Sequence, residues 1–176
     1  MSHLGGTELK RLHRQWRRVT AHRVALVLDG VQGPYNVGAI VRTAAAYRVD
    51  RLWVVGDGPS PDSEKAGKTA MGTERYLEWT RLAQPAEVCP AVSAAGYALI
   101  GIELTDDAQP LHEIDLRRDV CLAVGHEDRG VRAELLAGCE AVGYLPQLGR
   151  VGSLNVAAAA AIALYEARRQ SWLAAD

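Results

Sequence analysis

"GRVGSLNVAAAAAIALYEARRQ", residues 149–170, decides how this chain is read. It opens as a loop with glycines at 149 and 152, passes Ser153, Leu154 and Asn155, and runs into five consecutive alanines. The stretch predicts a helix capped by Ser153, with Asn155 in its first turn. Such a terminus offers free N–H donors and positive potential. Capping accounts for one polar residue at the mouth better than for two. Glycines before the helix let a backbone or a ligand come close. The alanines let another backbone pack against it, from a second subunit or from a passing segment of the same chain.

Working outward, short apolar runs bounded by turn residues predict strands at Val24–Asp29, Leu52–Val55, Tyr76–Trp79, Tyr97–Leu104, Asp119–Gly125 and Val142–Leu145. Between them, helices are expected over Val37–Val49, capped by Asn36, over Pro85–Gly96, distorted at Pro90, and over Val131–Ala137. Strands alternating with helices argue an α/β fold with a mostly parallel sheet flanked by helices. In such sheets a ligand crevice lies beyond the carboxyl ends of the strands. Three loops occupy that position: "GVQGPYN" (30–36), "GHEDRG" (125–130) and "PQLGRVGSLN" (146–155).

With 176 residues, the chain is long enough for one domain with a sizeable core. No apolar run approaches the roughly 20 residues of a membrane span. The opening residues show no apolar signal-peptide core, so a cytoplasmic protein is expected, with no membrane partner. Cys89, Cys121 and Cys139 fit neither a disulfide framework nor a metal knuckle, and no metal is expected.

The net charge of −1 conceals an uneven distribution. Residues 1–23 hold Lys10, Arg11, Arg14, Arg17, Arg18 and Arg23 against Glu8 alone, and the rest of the chain is acidic. A basic arm on an acidic body can bind phosphate locally, and these six residues are the candidate RNA contacts. The bland reading of the same stretch is a solvated helix with Leu9, Leu12 and Trp16 packed inward. Residues 1–23 are therefore set apart as a helical arm from a domain at 24–176.

"GDGPSP" (56–61) follows a strand and shows Gly-x-Gly, which invites a dinucleotide-binding reading. The third Gly or Ala of that fingerprint is replaced by Pro61, so a plain turn is the expectation. Arg42 lies among Ala39, Ile40, Val41 and Ala44–Ala46. A guanidinium in such company needs a carboxylate or phosphate, and Glu127 is the carboxylate in view. Glu127 itself could orient Arg42 or a substrate group, or simply occupy an exposed turn. His126 and Glu127 are adjacent and lack metal-ligand spacing.

Together "GPYNVGAIVRTA" (33–44), "LAVGHEDRGV" (122–131) and "LPQLGRVGSLNVAAAAAIALYEARRQ" (145–170) resemble the three motifs of the SpoU/TrmH family of RNA ribose 2′-O-methyltransferases, within the SPOUT superfamily. The segment "GYALIGIELTDDAQPLHEIDL" (96–116) is similar to the TrmH-type branch, which methylates a guanosine in the tRNA D-loop. The family's ribosomal branches commonly carry a large amino-terminal RNA-binding domain that this sequence does not show, which favours tRNA. The resemblance implies a deep trefoil knot at the carboxyl end, S-adenosylmethionine bent within it, and a homodimer with the last helix at the interface. It also implies a catalytic group of Asn36, Arg42, Glu127, Ser153 and Asn155. Glu127 and Asn155 would orient Arg42, while Ser153 and Asn36 would position the ribose or its phosphate. Cofactor contacts carry over to Ile102, Gly125, Leu145, Leu148 and Leu154. Arginine keeps its proton in proteins, so Arg42 suits charge stabilisation better than general-base work. His126 departs from the small or amide residue frequent at its position. Three competing readings stand beside this one: a ribosomal RNA substrate, a non-catalytic RNA-binding module of the same fold, and a nucleotide enzyme built on "GDGPSP".

Overall fold

All six residues of β1 (Val24–Asp29) are buried. A strand that is apolar on both faces needs cover on both, and that cover is what a parallel α/β sheet supplies. In the computed structural model, which describes residues 3–173, β1 is the third of seven strands. The others are β2 (Arg51–Val55), β3 (Trp79–Leu82), β4 (Ala98–Ile102), β5 (Gln109–Pro110), β6 (Val120–Gly125) and β7 (Ala141–Tyr144). Their order is β3-β2-β1-β6-β4-β7-β5, and every pairing is parallel. The helices are α1 (Gly6–Arg18), α2 (Pro34–Ala46), α3 (Glu64–Ala70), α4 (Val88–Ala94), α5 (Ala133–Leu136) and α6 (Val156–Leu173).

The period-2 alternation of β1 divides the core. Val24, Leu26 and Leu28 face a layer containing Ile40, Val41 and Ala44 of α2 and Ala160, Ala163 and Leu164 of α6. Ala25 and Val27 face Val88, Val92 and Leu135 on the other side. The alanines of α6 let it lie close to α2 and β6. To reach that position from β7, which lies beyond β4, the chain recrosses the carboxyl ends of β4 and β6. Residues 145–155 make this crossing.

Buried Arg168 fixes the far end of α6. Its guanidinium donates to the carbonyls of His22 (2.5 Å), Tyr47 (2.9 Å) and Arg48 (2.6 Å). These include orphan acceptors at the end of α2, which an arginine satisfies well.

Four expectations are corrected by local physics. Asn36 does not cap α2: Gly33 is the cap, Pro34 takes the first turn, and Asn36 is freed for other contacts. Asn155, not Ser153, caps α6, its Oδ1 accepting from the N–H groups of Ala157 (3.0 Å) and Ala158 (3.3 Å). Pro90 does not distort its helix. It lies in the first turn of α4, where its missing N–H would have no intrahelical partner, and the break falls earlier, at a 3₁₀ turn over Pro85–Glu87. The third strand starts at Trp79, because Gly72 (φ 77°) opens a 3₁₀ turn over Thr73–Tyr76. β5 was not foreseen. It is two residues long and contains a proline, so it carries no periodicity.

The arm is helical, but Leu9, Leu12 and Trp16 do not pack inward, since α1 buries no residue. Trp16 rests its ring on Trp172, 4.9 Å between centroids. Among the described residues no helix is long and apolar enough to cross a membrane. "GDGPSP" is a packed turn: Arg81 donates to the Gly56 and Gly58 carbonyls, and a Cβ at Gly58 would overlap the Val31 carbonyl.

Candidate functional site

The three loops meet beyond the carboxyl ends of β1, β4, β6 and β7, and Glu127 ties two of them together. Its Oε1 accepts from the backbone N–H of Gly33 and from Asn36 Nδ2, both at 2.8 Å, and its Oε2 accepts from Gln32 N–H at 3.1 Å. A Cβ at Gly33 would lie 2.7 Å from Asn36 Nδ2 and 2.8 Å from Glu127 Oε1, so a larger residue there would push these two side chains aside. The third loop joins through Asn155, whose Nδ2 donates to Asn36 Oδ1 at 3.0 Å. One hydrogen-bonded chain thus runs from the α6 cap through Asn36 to Glu127. Partial burial pushes the Glu127 carboxyl upward. The donors Asn36, Gln32, its own N–H and Gly33 outweigh it and hold the group at about 2.

Behind Glu127 the 125–130 loop folds back on itself. His126 and Gly130 exchange backbone hydrogen bonds of 3.0 and 2.8 Å, and Gly130 takes φ 66°. A Cβ at Gly125 would overlap the backbone of Gly130 and Val131, so glycine is needed for this close approach. Two carboxylates that the sequence reading missed hold the loop. Glu103, just past β4, accepts from Val131 N–H at 2.8 Å. Asp29, buried at the end of β1, accepts from Arg132 N–H at 2.8 Å and pairs with its guanidinium. Both carboxylates end apolar strands, and that is the one signal the sequence offered for them.

Between this loop and residues 146–154 lies a cleft of about 790 Å³. Ile102, Gly125, Glu127, Leu145, Ser153 and Leu154 line it. Leu148 does not: its side chain is fully exposed on the outside of the crossing. Ser153 faces the cleft without a hydrogen bond among the described residues.

Arg42 is not oriented by Glu127 or Asn155. Six residues along a helix leave Arg42 and Asn36 about 120° apart around the axis. Glu127 is already committed to Asn36, and Arg42 lies exposed on the outer face of α2, with Nη1 2.8 Å from Met71 Sδ. Arg23 also departs from its assignment to the arm. It pairs with Asp119 at 2.7 Å, donates to the Ala95 carbonyl and lies over the Tyr97 ring at 4.5 Å, which makes it a brace at the start of β1. Lys10, Arg11, Arg14, Arg17 and Arg18 are exposed on α1.

These loops coincide with the three motifs, and the likeness extends across the fold. The profile of the SpoU rRNA Methylase family matches residues 23–165, and the chain belongs to that family. It is 34% identical over 146 residues to a 23S rRNA (guanosine-2′-O-)-methyltransferase of Acinetobacter baylyi, covering 82% of this chain and 59% of the relative. It is 31% identical over 147 residues to the tRNA (guanosine(18)-2′-O)-methyltransferase of Escherichia coli, covering 84% and 63%. An AdoMet-bound rRNA methyltransferase from Sinorhizobium meliloti has the same fold, with TM-score 0.78 and 31% identity over 86% of this chain and 59% of that one. The chain spans about three fifths of the length of the curated relatives it matches.

Proposed function

We propose that this protein transfers a methyl group from S-adenosylmethionine to a ribose 2′-hydroxyl of RNA. The observation that carries the reading is the Asn155–Asn36–Glu127 chain, which fixes three loops at the rim of one cleft. The cleft suits the cofactor. About 790 Å³ lies within the usual range for small-molecule sites. Ile102, Leu145 and Leu154 offer apolar walls, Gly125 leaves backbone accessible, and Glu103 and Asp128 offer carboxylates to a cationic ligand.

S-adenosylmethionine supplies an electrophilic methyl carbon when bound. This chain's residues then have to present the sugar oxygen in line and stabilise the negative charge that develops on it as its proton passes to solvent. Good alignment alone is worth up to about 7–11 kcal/mol of a barrier. Asn36 is held from both sides, so its amide is a pre-set contact for ribose or phosphate. Glu127 and Asn155 are positioning residues that act through Asn36. Arg42, exposed on the outer face of α2, is the cation assigned to the phosphate beside the target ribose and, from there, to the charge growing on the attacking oxygen. Ser153, on the opposite rim, contacts the ribose from the crossing loop.

The reading extends to finer assignments. The substrate is tRNA, with a D-loop guanosine as target, supported by the likeness of residues 96–116 to the TrmH-type branch. The ribosomal RNA alternative is favoured by the rRNA enzyme among the relatives. Residues 1–23 form a basic arm that adds phosphate contacts through Lys10, Arg11, Arg14, Arg17 and Arg18, and residues 24–176 form the methyltransferase domain. The crossing at 145–155 is threaded as a trefoil knot, in keeping with its return from β7 to α2. The exposed apolar side chains Leu9, Leu12, Trp16, Ile162, Tyr165 and Leu173 support a homodimer. The protein works in the cytoplasm, where its RNA substrate is found.

Arg42→Ala tests the assignment. With labelled S-adenosylmethionine and tRNA or rRNA from cells lacking this gene, the variant should lose about 100- to 1,000-fold in turnover while cofactor affinity holds. Near-normal turnover in a folded variant refutes the assignment of Arg42. Mapping the 2′-O-methylated nucleotide in each RNA fraction decides between the two substrates.

A further inference from the structure

Beside Arg42 three large side chains stand in solvent: Tyr35 is 63% exposed, Met71 67% and Tyr76 65%. Single exposed apolar residues are ordinary, but the elements that carry these three pack against one another. Tyr35 and Arg42 are seven residues apart on α2, two turns along one stripe and about 10 Å apart. Gly38, between them, admits α3 so closely that a Cβ there would overlap the Ala66 carbonyl. That approach delivers the end of α3 to Arg42, where Met71 turns out in a left-handed conformation (φ 54°) and meets the guanidinium. The next turn, Thr73–Tyr76, packs on α2 and ends at Tyr76. The Arg75 guanidinium lies 4.8 Å from the Tyr76 ring centre, with Nη2 2.8 Å from the phenol oxygen. Among the described residues neither Arg42 nor Arg75 has a carboxylate partner. The strip starts at Tyr35, one residue before Asn36, the middle member of the Asn155–Asn36–Glu127 chain.

Resting on the reading proposed above, we infer that Tyr35 and Tyr76 are stacking platforms for RNA bases flanking the target nucleotide, with Arg42 and Arg75 on the phosphates between them. The chemistry is that of single-stranded or splayed RNA. Unstacked bases lie on aromatic faces and guanidinium planes, and unpaired cations meet the backbone. Two guanidinium groups without carboxylate partners, on the same packed elements as two exposed rings, suit a polyanion with π-faces better than an apolar protein partner. Because bases differ little in their faces, this strip sets affinity and the requirement for an unpaired target rather than the identity of the base.

The test uses the full chain carrying Tyr35→Ala, Tyr76→Ala, Tyr35→Trp or Tyr76→Trp. KM is measured for tRNA and rRNA fractions from cells lacking the gene, cofactor Kd by calorimetry, and oligomeric state by sedimentation. Each alanine variant should raise the RNA KM by roughly tenfold, in the range found for loss of one base–aromatic stack, with cofactor Kd unchanged. Tryptophan should restore the affinity, since any large aromatic face will serve. An unchanged KM, or tryptophan as damaging as alanine, overturns the inference. So does an alanine variant that alters the oligomeric state, because the strip is then a protein interface. A wild-type protein that binds the cofactor but methylates neither fraction overturns the underlying reading, and that measurement is independent of the variants.

Discussion

On one side of the cleft, residues 125–132 are pinned at most of their polar groups. His126 and Gly130 bond each other, Glu103 holds Val131, Asp29 holds Arg132, and Glu127 reaches across to Gln32, Gly33 and Asn36. On the other side, residues 147–154 make no hydrogen bond among the described residues, and Leu148 and Val151 project into solvent. Both walls are glycine-bearing loops at the end of a strand, so composition does not account for the contrast. Neighbouring carboxylates do: the first wall lies among Asp29, Glu103 and Glu127, and the second has only Asn155 at its foot. The first wall is preorganised, whereas the second has few contacts to lose and is the wall a ligand would complete.

Trypsin offers the most sensitive way to break this contrast. Arg129 sits in the pinned loop and Arg150 in the open one. Cleavage after Arg150 should be much faster than after Arg129. S-adenosylmethionine at about 100 times its Kd should slow the Arg150 cut by about 100-fold, the factor by which it depletes the free form. Cleavage at Arg150 indifferent to the cofactor would show that the open wall is not completed by it.

Paired glycine substitutions come next in size. Gly125→Ala places a Cβ into the backbone of Gly130 and Val131, and the loop has no flexible side chain there to give way. A loss of about 2–3 kcal/mol in urea unfolding is expected, at the upper end for overpacking. At Gly149 nothing lies within 4 Å of the new Cβ, so Gly149→Ala should stay within about 0.5 kcal/mol of wild type. Equal effects at the two positions would dissolve the distinction between the walls.

How much of this was legible beforehand varies with the range of the interaction. β1 was readable because five apolar residues in a row, Val24–Leu28, can be satisfied only one way, and β6 for the same reason. The convergence of the three loops followed from strand order in parallel sheets and from the motif resemblance. The wiring inside the site was not legible. Whether Glu127 would hold Arg42 or Asn36 depends on which side of α2 each residue occupies, and that turned on Gly33 rather than Asn36 starting the helix. The roles of Glu103 and Asp29 were hidden because a carboxylate ending an apolar strand reads as a turn until its distant backbone partners are known. Arg23 counted as arm charge in sequence order, but in space it belongs to Asp119 and Tyr97.

The smallest effect probes the bond that connects the pinned wall to α2. Glu127→Gln keeps the shape of the side chain but turns one acceptor oxygen into a donor that faces another N–H. Three donors converge on the carboxylate, so the variant should lose about 1–3 kcal/mol at pH 7, toward the lower end because the group is only partly buried. The pH dependence separates charge from shape. The folded-state pKa is about 2 against the usual 4.5, a depressed value, so the carboxylate's contribution is fully present above about pH 4.5 and is lost as the pH falls toward 2. The stability gap between wild type and Glu127→Gln should therefore be flat from pH 7 to 5 and narrow steadily below about 4.5, since protonated Glu and Gln then present similar groups. Urea unfolding at pH 7, 5 and 3.5 measures it. A gap as wide at pH 3.5 as at pH 7 would mean that Asn36 is held by packing rather than by the charge, and the pinned wall would owe its order to Asp29, Glu103 and the glycine contacts.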